Sequence, residues 1–140
     1  MSGAVKPGLF VLDTSALLTL YKDEAGSDRV AELLVAAGGG HAQVYGCFMT
    51  LVEVFYRVWK NEGQAAGRTA YAQCLQLPIL WVRESPALLE RAASVKATHA
   101  LSLADAWIAA TAFECHATLV HKDPEFEAIA TLVQDRLPYK

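Results

Sequence analysis

Leu9-Phe10-Val11-Leu12-Asp13-Thr14-Ser15 is the stretch on which the fold turns. Four consecutive apolar residues without polar alternation form the pattern of a strand buried on both faces, as in a parallel sheet covered by helices. The run stops at an aspartate followed by two hydroxyl residues, types that favour helix starts. A short helix over residues 16–21 is therefore expected, capped by Thr14 or Ser15. Asp13 is then left as an ionised carboxylate at the end of an apolar strand, with no partner close in sequence.

Working outward, the same alternation repeats. A helix is expected over residues 28–37 and stopped by Gly38-Gly39-Gly40, since glycine readily takes the left-handed cap conformation. A second strand follows at 44–48. Helices at 50–60 and 65–75 flank Asn61-Glu62-Gly63 and form an antiparallel pair if that turn is tight. The third strand is expected at 79–82, helices at 86–98 and 103–115, a fourth strand at 118–120 and a short helix at 124–130. Residues 131–133 are a candidate edge strand. The order is β-α-α-β-α-α-β-α-α-β-α, which implies an α/β fold with a mostly parallel, four- to five-stranded central sheet flanked by helices. Ligands of such sheets gather beyond the carboxyl ends of the strands.

Composition narrows the classes. At 140 residues, 54 % hydrophobic and 19 % charged, the chain has the apolar content for a core and the length of one domain, taken as residues 1–140. A net charge of −3 provides no basic field for nucleic acid, so any contact with it has to be local or metal-mediated. Cys47, Cys74 and Cys115 are odd in number and show no zinc spacing, as expected of small buried thiols in a reduced, cytoplasmic protein. The longest apolar stretch, 101–120, carries Asp105, Glu114 and His116, so no membrane span is expected. Cys115-His116 lacks partners at zinc spacing and reads as packing. No glycine-rich phosphate loop opens a helix. A haloacid-dehalogenase type of phosphatase also starts with a strand and an aspartate, but Ser15 stands where its second aspartate is required.

Four acids fall at matching places. Asp13 ends the first strand, Glu53 lies in the expected first turn of the helix after strand two, Asp105 in the first turn of the 103–115 helix, and Asp123 after strand four. Strand carboxyl ends and helix amino ends share one edge of a parallel sheet, so Asp13, Glu53 and Asp123 belong on one rim. Asp105 follows no strand directly. Capping is the competing explanation. Thr50-x-x-Glu53 has the form of a capping box, Ser102-x-x-Asp105 approximates one, and Asp123 precedes Pro124 as a good cap does. Glu53 also stands four residues before Arg57, the favoured order for a helical ion pair. Asp105, however, shares its stripe with Ile108, Ala109 and Ala112, where an acid either costs stability or faces a wet cleft.

Brought together, the four acids carry −4, and Glu125 nearby makes −5. Such charges repel within a few ångströms unless cations are bound. Two Mg²⁺ or Mn²⁺ ions supply +4 and choose oxygen ligands. A metal pair about 3.5–4 Å apart is the arrangement that cleaves phosphodiesters.

The motifs Val11-Leu12-Asp13-Thr14-Ser15-Ala16-Leu17, Thr50-Leu51-Val52-Glu53-Val54, Leu103-Ala104-Asp105-Ala106-Trp107-Ile108-Ala109-Ala110 and Leu119-Val120-His121-Lys122-Asp123-Pro124-Glu125-Phe126 together resemble a PIN domain, most closely the VapC-like toxin ribonucleases. The resemblance runs over nearly the whole chain. It implies a PIN-like fold, a Mg²⁺- or Mn²⁺-dependent endoribonuclease acting on RNA, a homodimer, and a cognate antitoxin that blocks the site. The metal acids carry over onto Asp13, Glu53, Asp105 and Asp123, and the hydroxyl beside the first acid onto Ser15 or Thr14. Glu125 matches a further acidic position. His121 departs from the pattern, which commonly has Thr or Ser there; it is either a structural residue or a contact for phosphate or metal.

Arg57, Lys60 and Arg68 surround the helical pair and are candidates to grip RNA phosphates, the alternative being a solvated face. Tyr56 and Trp59 are candidates to stack bases or to pack in a core or dimer interface. Val54, Phe55, Val58, Tyr71 and Leu75 could form an apolar surface for a partner. Two other functions fit the same fold: a stand-alone nuclease in RNA processing, and a silent PIN-like module that binds RNA or protein. The presence of all four acids argues against the silent module.

Overall fold

The computed structural model describes residues 4–139. The elements are β1 (Leu9–Leu12), α1 (Thr14–Tyr21), α2 (Ser27–Gly38), β2 (Gln43–Cys47), α3 (Phe48–Glu62), α4 (Gln64–Gln76), β3 (Leu80–Val82), α5 (Pro86–Thr98), α6 (Leu103–Glu114), β4 (Thr118–His121), a 3-10 turn (Pro124–Ala128) and β5 (Gln134–Arg136). The strands form one sheet in the order β3-β2-β1-β4-β5, and every neighbouring pair is parallel. The α/β reading therefore holds, with five strands.

The apolar run of β1 is used as its pattern demands. Leu12 faces a core built with α1 to α4, where it meets Val44, Val54 and Val120. Val11 points to the opposite face and packs with Leu119, Ile108 and Ala109 under α6. Side chains alternate along a strand, so a strand covered on both faces must be apolar at every position. A smaller cluster of Leu88, Ala92 and Ala110 holds α5 against α6.

The chain leaves β1 for β2 on one side and later returns through β4 on the other. The gap between β1 and β4 is thus the topological switch point, where crossover connections diverge and leave a crevice beyond the strand ends. Asp13 and Asp123 follow these two neighbouring strands.

The α3–α4 pair is antiparallel and turns at Gly63, whose φ of 102° suits glycine. A Cβ at Gly67 would lie 2.9 Å from the Phe55 carbonyl and 3.0 Å from the Trp59 Cβ, so this glycine sets how closely the helices approach. Phe55 stacks on Tyr71 with ring centroids 5.2 Å apart. Val54 and Val58 are buried in the core. Val52, Tyr56, Trp59 and Leu75 are exposed large apolar residues of this hairpin.

The edge strand is placed differently from the expectation. Residues 131–133 do not form it; Gln134–Arg136 does, paired with Leu119 to His121. Leu132 instead plugs the core beside Ile129 and Phe126. A polar edge strand leaves no apolar run in the sequence. Residues 124–130 also form a shorter 3-10 turn in place of a helix. Cys47 and Cys74 are buried and Cys115 is half-buried, all three free. Among the described residues no helix is long and apolar enough to cross a membrane.

Candidate metal centre

Asp13 leaves β1 and caps α1 itself: its Oδ1 accepts the Ala16 N–H at 2.8 Å. The expectation that Thr14 or Ser15 would cap this helix is corrected, because α1 begins one residue after the strand ends. Ser15 Oγ sits 2.8 and 2.7 Å from the two Asp13 carboxylate oxygens and accepts the Lys122 N–H at 2.8 Å. It thereby ties the start of α1 to the exit of β4. Burial, only partly offset by Ser15 and the Ala16 amide, pushes the Asp13 carboxyl up to about 7, with Asp123 adding to the rise.

Thr14 points the other way. Its Oγ1 donates to Glu53 Oε1 at 2.6 Å and lies 3.2 Å from Thr50 Oγ1. Thr50 is no helix cap: α3 starts at Phe48 directly after β2, with Cys47 in the cap position. The capping-box reading of Thr50-x-x-Glu53 is therefore overturned. Glu53 lies in the second turn, held by the Thr14 hydroxyl and by Arg57, whose Nη2 is 3.7 Å from Oε2.

At α6 the cap expectation is half right. Ser102 Oγ accepts the Asp105 N–H at 3.1 Å. The reciprocal bond of a capping box comes from elsewhere, because the Ser102 N–H donates to Glu125 Oε1 at 3.1 Å. The Asp105 carboxylate is left out of the cap. Its oxygens, with those of Asp123 and Glu125, fall within 4.8 Å of one another. Burial, then Glu125, Asp123 and Asp13, all push the Asp105 carboxyl upward. Asp105 and then the Ser102 amide hold Glu125 below its ordinary value. Asp123 both joins the cluster and caps the 3-10 turn, accepting the Glu125 N–H at 3.0 Å. Among the described residues no basic side chain pairs with Asp13, Asp105, Asp123 or Glu125.

His121 does not reach the cleft. It is fully buried, and its two ring nitrogens meet the Asp123 N–H at 3.0 Å and Gln134 Oε1 at 2.8 Å. Burial pushes the imidazole down. Of the two readings of His121, a structural residue or a contact for phosphate or metal, this geometry matches the structural one. Gln134 was not picked out in the sequence, where nothing marks a polar residue on an edge strand as a partner for a distant histidine.

Arg57 and Lys60 line a groove of about 310 Å³ with Lys22, Tyr56 and Asn61. Arg68 is exposed on α4 and does not line it. Lys22, at the end of α1, joins Arg57 and Lys60 there. The larger groove, about 630 Å³, is apolar and lined by Leu17, Leu20, Tyr21, Val54 and Leu77 among others. It is separate from the acids.

Residues 10–132 match the family model of the PIN domain. The chain belongs to the PIN domain family. No curated protein sequence is significantly similar to it. Solved structures share its fold. This PIN domain superposes on VapBC2 from Rickettsia felis, a structure bound to a promoter DNA fragment, with a TM-score of 0.74 at 18 % identity, covering 93 % of this chain and 99 % of the other. For VapC20 of Mycobacterium tuberculosis, described as a sarcin-ricin loop cleaving toxin, the score is 0.69 at 19 % identity, with 91 % and 98 % covered. A toxin-antitoxin complex from Klebsiella pneumoniae gives 0.62 at 23 % identity, with 88 % and 94 % covered. In this PIN domain the acids assemble at the switch point of the sheet, where a parallel α/β architecture leaves its crevice.

Proposed function

We propose that this PIN domain is a Mg²⁺- or Mn²⁺-dependent endoribonuclease and the toxin of a toxin–antitoxin pair. The observation that carries the reading is the convergence of Asp105, Asp123 and Glu125 within 4.8 Å, beside Asp13, with no basic side chain among the described residues within ion-pair distance of them. A set of carboxylate oxygens fits hard divalent cations and not the softer metals that seek thiolate. Asp13, Asp105 and Asp123 would hold such an ion, with Glu125 at the open rim. When bound, the ion supplies the positive charge that offsets these acids and the charge developing on a phosphodiester.

The protein's own residues do the rest. Ser15 fixes the Asp13 carboxylate. Thr14 and Arg57 hold Glu53 behind it, so Glu53 supports the centre from its flank. Lys22, Arg57 and Lys60 offer a local cationic approach for RNA phosphates, as an acidic protein requires. Tyr56 and Trp59, both exposed, are available to stack bases beside that groove.

An antitoxin partner follows from the toxin–antitoxin complexes that share the fold, and a homodimer from the resemblance of the motifs. A partner that inhibits is expected to place a basic side chain among the acids, replacing part of the cation charge. The free thiols agree with a cytoplasmic setting. Chain purified free of any partner should cleave RNA with Mg²⁺ or Mn²⁺ and stop when EDTA is added. Cleavage undiminished in EDTA would overturn the metal mechanism.

A further inference from the structure

His121 and Gln134 form a polar pair inside the protein whose hydrogen bonds have only one consistent arrangement. The Gln134 amide nitrogen lies 3.0 Å from the Phe126 carbonyl and 3.4 Å from the Ile129 carbonyl. Both are acceptors, which identifies that atom as the donor NH₂ and turns Oε1 toward His121 Nε2 at 2.8 Å. An oxygen there can only accept, so Nε2 carries the hydrogen. The other nitrogen, Nδ1, receives the Asp123 N–H at 3.0 Å and must present a lone pair. The ring is packed against Phe126, centroids 5.0 Å apart.

We infer that His121, oriented by Gln134, is a positioning residue that holds the Asp123 backbone so that its carboxylate meets Asp105 and Glu125; the role rests on the metal-centre reading above. Consecutive amides on the loop leaving β4 are fastened from two sides. Ser15 of α1 takes the Lys122 N–H, and His121 at the end of β4, held by Gln134 of β5, takes the Asp123 N–H. Pro124 restricts Asp123 further to extended backbone, and Asp123 shows φ −124° and ψ 113°. The loop that carries one acid is thus built into the fold before any cation arrives. Burying an imidazole and an amide is costly unless every polar atom is partnered, and here each one is. The polar edge strand β5 is explained by the same pair.

The test uses the full chain and Mn²⁺ alone as probe. ¹⁵N NMR of the metal-free protein should show His121 with an unprotonated Nδ1, a protonated Nε2, and a coupling across the hydrogen bond between Nδ1 and the Asp123 amide. His121→Leu and Gln134→Leu should each weaken Mn²⁺ binding by about 10–100-fold, the scale of lost support behind a metal ligand. His121→Asn offers an acceptor where Nδ1 stood and should recover most of the affinity. Should His121→Leu fail to fold, Gln134→Leu on the edge strand reads the same link. A protonated Nδ1, an absent coupling, or wild-type Mn²⁺ affinity in folded Gln134→Leu would overturn the inference. A wild-type protein that binds no Mn²⁺ would overturn the metal reading and the positioning role together, which the NMR coupling distinguishes from failure of the geometry.

Discussion

Glu53 and Asp105 are equally buried, each 8 % exposed, and each stands in a helix whose amino end meets the rim of the sheet. Their surroundings are opposite. Glu53 receives a hydroxyl hydrogen bond from Thr14 at 2.6 Å and has Arg57 at 3.7 Å. Asp105 has two carboxylates for neighbours and, among the described residues, no cation within ion-pair distance. Burial alone therefore does not mark a functional acid. What marks it is whether the fold has provided the opposite charge. Glu53 is answered by residues of its own chain, and Asp105 is left to be answered by something bound.

The largest effect should come from removing the unanswered charge. Asp105→Asn keeps the Ser102 cap, because that bond uses the backbone N–H of residue 105. It should lower RNA cleavage by about 100-fold or more, the scale of losing a preorganised electrostatic group at a reacting centre. Its melting temperature in EDTA should be no lower than wild type, since one member of a repelling cluster is gone. An active variant that melts early would break the comparison and make Asp105 structural. Glu53→Gln still accepts from Thr14 and should cost less, about 10-fold in cleavage. A larger loss than for Asp105→Asn would reverse the two roles.

The pH response sharpens the same contrast. Asp13 rises from its ordinary 3.8 to about 7 in the fold, and Asp105 is raised as well. A carboxyl with a raised folded value binds its proton more tightly folded than unfolded. Its ionisation therefore costs stability as pH climbs from about 4 through 7, and Asp105 extends the window upward. In EDTA, the melting temperature of Asp105→Asn relative to wild type should increase between pH 5 and pH 8, by about 5 °C. Mn²⁺ competes with those protons, so its affinity for wild type should rise over the same interval. A gap between the two proteins that is flat with pH would show that the cluster carries no such strain.

The smallest effect is expected at the answered acid. Arg57→Met leaves Glu53 with Thr14 only. The Arg57 side chain is 47 % exposed, so water screens the pair and the expected loss is about 0.2–1 kcal/mol in chemical denaturation. A loss of several kcal/mol would mean that Glu53 depends on its cation as a buried pair does.

Local pattern was enough for much of this. The unbroken apolar run at Leu9–Leu12, the alternation of short strands with helices, and the acids at strand and helix ends are written in neighbouring residues, so a mostly parallel sheet flanked by helices and the placing of Asp13 and Asp123 beyond strand ends were legible. Where the reading failed or stayed open, the deciding partner was far away in sequence. Thr50 looks like a cap, but its hydroxyl lies against that of Thr14, 36 residues away, and β2 runs straight into α3. His121 can be read as structural or as a phosphate contact, and Gln134, 13 residues on, turns it inward. Lys22 of the α1 end, far off in sequence, joins Arg57 and Lys60 in their groove. The edge strand Gln134–Arg136 carries no apolar signal, because its side chains pair with Arg29, Glu127 and His121.

Which residues could be charged, which runs had to be buried, and that acids would gather at one edge of a parallel sheet all follow from the order of amino acids. Periodicity and helix-end chemistry act over a few residues, and those statements need no more. Which acids are compensated depends on packing between distant elements. The charge a carboxylate feels depends on what lies within a few ångströms, and in this fold those neighbours arrive from α1, α3, α6 and the end of β4. Thr14 is 39 residues from Glu53 and Ser15 is 107 from Lys122. Such pairings follow from the order in which strands enter the sheet, and no local pattern carries that order.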